Sequence, residues 1–183
     1  SKYATDDSIK YLVDHTQFWI VPIVNPDGVI YSQGVSNDQL DNVRLWRKNR
    51  RPISLGECRS GVGVDLNRNF GFQWRLRGDE PCPQTSDDAG ASDNPENEIY
   101  RGSEPESELE VRAIKSLTND PARHFKAQLD YHSYSQLILY PWGYQLFAAP
   151  DAGTLSKLTR KMSDEMLKVD GKPYRAQQAH SLY

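Results

Sequence analysis

Apolar residues along this chain fall into alternating short runs and periodic stretches, separated by a long polar interval. Residues 5–14 (TDDSIKYLVD) begin with polar and acidic positions and carry Ile9, Leu12 and Val13 at helical spacing, which predicts a helix. The next segment, FWIVPIV at 18–24, is continuously apolar and is followed by Asn25, Pro26, Asp27 and Gly28. That pattern predicts a buried strand running into a turn. From Val29 to about Arg101 little periodicity survives, apart from GVGVDL at 61–66, and an irregular stretch of that length is usually functional or disordered.

Periodicity returns after Ser103. Ser103 and Glu106 have the spacing of a capping box, and Leu109, Ala113, Ile114 and Leu117 would give the helix behind it an apolar face. FKAQLDY at 125–131 predicts a second strand, and residues 137–140 form a further short apolar run that stops at Pro141. Leu155, Leu158, Met162 and Met166 then mark an amphipathic helix ending near Gly171. Strands alternating with helices predict an α/β fold, a mixed central sheet flanked by helices. The chain contains no internal repeat and no low-complexity segment.

Composition narrows the function classes. A length of 183 residues suits one core, and no apolar run approaches the roughly 20 residues of a membrane-spanning helix. A net charge of -3 leaves no basic surplus for phosphates, so nucleic acid is not an expected partner. The start, SKYATDDSIKYL, has neither the basic beginning nor the apolar centre of a secretory signal. Cys58 and Cys82 flank a loop rich in Gly, Asp and Pro, and they read either as a staple across it or as two unpaired thiols. A bond between them would contribute about 3 kcal/mol through loop closure.

Three segments could carry chemistry. DLNRNF at 65–70 places Asn67 and Arg68 where a short β-like run empties into a loop, the usual place for ligands in α/β sheets. A guanidinium beside an amide offers the planar fork and extra donor that a carboxylate accepts, although an isolated Asn-Arg pair is more often an ordinary surface turn. RLWRKNRR at 44–51 gathers five cations around Trp46, as either a solvated face or an anion-binding patch. His132 opens HSYS after the second predicted strand, and a lone histidine is more often structural than a metal ligand. Residue chemistry alone therefore stops at an α/β domain with a cationic loop cluster.

Taken together and in order, NPDG (25–28), RLWRK (44–48), GVDLNRNF (63–70), YRGSEPESE (100–108) and HSYSQLILYPWGY (132–144) resemble the zinc carboxypeptidase family in its pancreatic-type branch. The resemblance covers nearly the whole chain. It implies a hydrolase that uses one zinc ion to remove the C-terminal residue of peptides and proteins, acting as a secreted, extracellular monomer. His132 would correspond to the third zinc ligand. Arg47 would polarise the scissile carbonyl and hold the developing oxyanion, where a fixed cation stabilises charge that appears only in the transition state. Asn67 and Arg68 would bind the free C-terminal carboxylate, and an internal peptide bond offers that fork no such group. Asp65 would orient an earlier zinc-binding histidine through its ring tautomer. Ser133, Tyr134, Leu139 and Gly143 would line the cleft, and Tyr183 would close over the substrate carboxylate. Cys58 and Cys82 fall where that branch carries a disulfide, and Ser133–Tyr134 and Pro141–Trp142 are candidates for non-proline cis bonds.

The resemblance also leaves gaps. The family's first two zinc ligands form an H-x-x-E pair, but none of His15, His124, His132 and His180 has Glu three positions on. The family places its general base, a glutamate, after a tyrosine like Tyr183. The expectation is that residues 1–183 form the central part of one catalytic domain, and that the isolated chain holds no zinc tightly and hydrolyses nothing, because catalytic zinc needs three protein ligands. Two other readings share the motifs. One is a module that binds peptide C-termini without cleaving them, and the other is a carboxypeptidase acting on bacterial cell-wall peptides.

Overall fold

The computed structural model describes residues 2–34, 43–54, 60–74, 87–88 and 90–182. Its backbone divides into two compact units, residues 1–46 and 47–183.

In the first unit, a 3-10 turn at Lys2–Ala4 precedes helix α1, Asp7–His15. Asp6 caps α1 by accepting from the Ser8 and Ile9 amides at 3.0 and 3.1 Å, satisfying donors that have no partner inside the helix. The apolar run at 18–24 is irregular and joins no ladder among the described residues, and Ile20 is 81% exposed. The expected buried strand is therefore absent: a strand needs a neighbour for its amides and carbonyls, and no described segment supplies one.

The expected turn at 25–28 is instead the start of helix α2, Pro26–Gln33. Asn25 accepts from the Gly28 amide at 3.0 Å and Pro26 occupies the first turn. Asparagine as cap, proline without a needed N–H and an acid at the positive helix end are all helix-start chemistry. Edge-to-face packing of Tyr31 on Trp46, with ring centroids 5.2 Å apart, ties α2 to the end of this unit.

The second unit opens with an antiparallel pair, β1 (Pro52–Ser54) and β2 (Ser60–Val62), in which Ile53 faces Gly61. Gly61 is needed there, since a Cβ would lie 2.6 Å from the Pro95 carbonyl oxygen. Ile53, Val64 and Tyr100 form the buried apolar cluster. A second short antiparallel pair, β3 (Asp87–Asp88) and β4 (Ala91–Ser92), sets Asp87 opposite Ser92 and Asp88 opposite Ala91.

Helix α3 spans Leu109–Thr118 and departs from expectation at its start. Ser103 and Glu106 form no capping box. Glu106 adopts φ +60° and its carboxylate takes Lys115 Nζ at 2.5 and 2.7 Å. The helix begins after Glu108, whose carboxylate is committed elsewhere and does not cap it. Val111 is the buried anchor of α3, whereas Leu109 and Ala113 face solvent.

Residues 125–131 are irregular and exposed, with no ladder partner among the described residues, so the second predicted strand is also absent. Beyond them β5 (Leu137–Tyr140) pairs in parallel with β6 (Arg175–Gln178), Leu139 opposite Gln177. The connection is helix α4, Ala152–Asp170, which packs on both strands as a parallel crossover must. Gly171 ends α4 in the left-handed region at φ +73°, with its amide bonded back to Leu167.

Candidate active site

The site centres on one buried carboxylate. Asp65 follows Val64 of the apolar cluster, and its amide donates to the Tyr100 carbonyl at 2.8 Å, fixing its backbone. Its Oδ1 accepts from the Asn67 amide at 3.1 Å and so caps the 3-10 turn Leu66–Arg68. Its Oδ2 accepts from Arg47 Nε at 2.6 Å, in an ion pair whose carboxylate side chain is only 3% exposed. A charge-assisted bond of that length fixes the plane of the guanidinium.

Arg68 completes the turn. Its Nε donates to the Gly90 carbonyl and its Nη1 to the Asn67 carbonyl at 3.0 Å, while Asn67 itself is exposed. The turn is locked from behind by Asn69, a fully buried residue that sequence reasoning passed over. Asn69 Nδ2 donates to the Arg101 and Glu104 carbonyls and to Ser107 Oγ at 2.8, 3.0 and 2.9 Å, and Asn69 Oδ1 accepts from the Glu108 amide at 3.1 Å. The two N–H groups are shared among three acceptors and the oxygen takes one donor, so both ends of the amide are engaged. The available signal was the second asparagine of the NRN triplet.

Below this lies a second ionic anchor. Arg51 donates Nε to Glu108 Oε2 at 3.0 Å and Nη2 to Oε1 at 2.7 Å, Asn49 Nδ2 reaches Oε2 at 2.7 Å, and Ser107 Oγ reaches Oε1 at 2.6 Å. Burial pushes the Glu108 carboxyl up, but these hydrogen bonds and the Arg51 charge outweigh it and hold the group below its ordinary value. Lys48, beside Arg47, is also buried and donates to the Pro95 carbonyl at 2.7 Å. Loss of solvent lowers its pKa against the raising influence of Glu98 and Asp65.

The remaining expected residues are distributed differently. His132, Ser133 and Tyr134 lie on an exposed stretch, Tyr134 at 90%, and no described hydrogen bond or ion pair joins them to Arg47 or Asp65. The peptide bonds Ser133–Tyr134 and Pro141–Trp142 are both cis, at the two positions the sequence pointed to. Leu139 lies on β5 and Gly143 just beyond it, where a Cβ would meet only the Ala179 side chain, at 3.5 Å. Phe72, four residues past Arg68, stacks on Trp142 with centroids 5.4 Å apart and meets Tyr144 edge-on at 5.6 Å. This aromatic trio joins the segment that follows Asn67–Arg68 to the segment that follows β5, and the aromatics in FGFQW and YPWGY were its sequence trace. Tyr183, Cys58 and Cys82 lie outside the described residues.

Among the described residues, no group of three or more His, Cys, Asp or Glu side chains could hold a metal ion. The described residues alone therefore do not fit a zinc site. No described helix is long and apolar enough to cross a membrane.

Arg47 and the Asn67–Arg68 turn are thus both held on the Asp65 carboxylate, and they carry donors of the kind a carboxylate or an oxyanion accepts. The chain belongs to the zinc carboxypeptidase family, whose model matches residues 1–183. It is 34% identical over 173 residues to carboxypeptidase A4 of Mus musculus, covering 94% of this chain and 36% of that protein. It is 35% identical over 174 residues to carboxypeptidase B of Astacus astacus, covering 95% and 50%. The crystal structure of thrombin activatable fibrinolysis inhibitor superimposes with a TM-score of 0.74 at 33% identity, covering 98% of this chain and 40% of that one. The chain thus spans half or less of the length of these relatives, and its fold is the α/β fold of carboxypeptidases.

Proposed function

We propose that residues 1–183 are the central part of a single carboxypeptidase catalytic domain, and that the whole protein removes C-terminal residues from peptides and proteins. The observation that carries this reading is the Asp65 cluster, in which Arg47 and the Asn67–Arg68 turn share one buried carboxylate. Asn67 and Arg68 offer donors to a terminal carboxylate, which selects the last residue of a chain. Arg47 supplies a cation fixed in advance, suited to the oxyanion that develops at the scissile carbonyl. Ser133, Tyr134, Leu139 and Gly143 line the cleft, and Tyr183 covers the bound carboxylate.

Family membership supports zinc as cofactor. In this proposal one ion takes His132 as one ligand, with its other ligands outside the described residues. The protein works outside the cell as a monomer, with Cys58 and Cys82 joined, without a nucleic-acid partner and without a membrane span.

The test is mass spectrometry of a peptide incubated with the full-length protein. Stepwise loss from the free C-terminus is expected, with an amidated peptide left intact. Arg47→Ala should lower kcat by about 10²–10³, the usual loss for an oxyanion donor. Binding of the free-acid peptide without cleavage would show a C-terminus-binding module instead, and cleavage confined to bacterial cell-wall peptides would move the substrate class.

A further inference from the structure

We infer that Asp65 is the positioning residue that couples the two halves of the site, holding Arg47 and the carboxylate-binding turn in one fixed relation. The inference rests on the proposed exopeptidase reading and adds a role for Asp65 distinct from the orientation of a metal-bound histidine.

The geometry assigns each oxygen a separate task. Oδ2 takes Arg47 Nε at 2.6 Å and Oδ1 takes the Asn67 amide at 3.1 Å. The Asp65 side chain is 3% exposed, against 34% for Arg47, so the carboxylate is the fixed partner and the guanidinium the part presented outward. Its own backbone is pinned by the bond from its amide to the Tyr100 carbonyl, and Tyr100 is itself buried. Gripping an arginine through Nε fixes the plane of the guanidinium, and capping the turn through Asn67 fixes the direction of the next two side chains. The two groups must face substrate atoms separated by only a few bonds, since a terminal carboxylate and the last scissile carbonyl belong to the same residue and its neighbour. A shared buried anion therefore sets a distance that catalysis needs, and misplacement by about 1 Å is enough to cost on the order of 10²-fold in rate.

Replacing the carboxylate separates the two tasks. In Asp65→Asn the side-chain carbonyl oxygen still accepts from the Asn67 amide, but the amide nitrogen cannot accept from Arg47 Nε. In Asp65→Ala both bonds are lost. Because Arg47 is partly exposed, it can be solvated in either variant, and circular dichroism of both proteins establishes that they fold.

The experiment uses the full-length protein in two states. After metal removal by chelation, the affinity for a short free-acid peptide and for its C-terminal amide reports the turn alone. With metal restored, kcat and KM report Arg47. Asp65→Ala is expected to weaken free-acid binding to the metal-free protein by about fivefold to tenfold, in line with loss of a cap, and to leave amide binding unchanged. Asp65→Asn is expected to keep KM and metal-free binding near wild type while kcat falls at least about tenfold. Wild-type free-acid binding and wild-type kcat in Asp65→Ala would overturn the inference. So would a defect confined to metal content, which assigns Asp65 to the metal site alone. A wild-type protein that does not distinguish free acid from amide would sink the exopeptidase reading itself, and this role with it.

Discussion

The residues that matter most here are polar groups withdrawn from water and fully engaged. Glu108 shows the cost and the return: burial disfavours its charge, yet a fork from Arg51 and donors from Asn49 and Ser107 hold it ionised below its usual range. A carboxyl whose folded pKa lies below its unfolded value of about 4.5 adds stability that is complete above that value and is lost as pH falls through the folded one. The urea midpoint should therefore drop between pH 6 and pH 3, and Glu108→Gln should lower the midpoint at pH 6 while flattening part of that drop. Parallel pH curves for the two proteins would contradict the assignment. Gly63 is a second residue-scale case. It sits at φ +81°, and a Cβ there would lie 2.1 Å from the Asn49 carbonyl oxygen, backbone that cannot move without breaking the Asn49–Val64 bonds. Gly63→Ala is expected to cost about 3 kcal/mol or more, read as a fall in the urea midpoint, because the strain of positive φ adds to the clash.

Among the elements, the connection between the Asn67–Arg68 turn and the segment that follows β5 is the one most open to test. Phe72 reaches Trp142 and Tyr144 across the surface, so Phe72→Ala should loosen the turn without unfolding the protein. In the full-length protein, KM for free-acid peptides should rise severalfold with kcat held, and Phe72→Tyr should restore it. Unchanged KM in the alanine variant would show that the stack is incidental. The elements also show what was legible in the chain. The amphipathic spacing of Leu155, Leu158, Met162 and Met166 and the terminal Gly171 marked α4 correctly, because helix periodicity and a left-handed cap are local properties. Helix α2 was missed because Asn25-Pro26 serves a turn and a helix start equally, and only the bond from the Gly28 amide decides between them. Residues 18–24 and 125–131 have strand composition, but strand formation depends on partners that sequence spacing does not reveal. Strand β6, in the polar stretch RAQQ, was invisible for the converse reason: its partner β5 recruits it. At the site, Asn67, Arg68 and Arg47 were readable as motif residues, whereas the sharing of Asp65 between them and the lock at Asn69 exist only in three dimensions.

On the scale of the whole molecule, the chain spans half or less of the relatives it matches, and it carries large exposed apolar side chains in 18–24, at Leu146 and Phe147, and at Val169. Exposed apolar surface of this extent binds other apolar surface. The isolated 183-residue chain is expected to bind a hydrophobic dye and to self-associate in sedimentation, and to release no C-terminal residue from peptides. A monodisperse, dye-free chain would contradict that expectation. The central claim is that Arg68 and its turn recognise a free terminal carboxylate, and the direct measurement is calorimetric binding of a peptide and its amide to the metal-free full-length protein and its metal-free Arg68→Ala variant. The account predicts that wild type binds the free acid at least about tenfold more tightly than the amide, as for a charge-assisted pair, and that Arg68→Ala binds both alike. Equal affinities in wild type, or an undiminished preference in the variant, would contradict it.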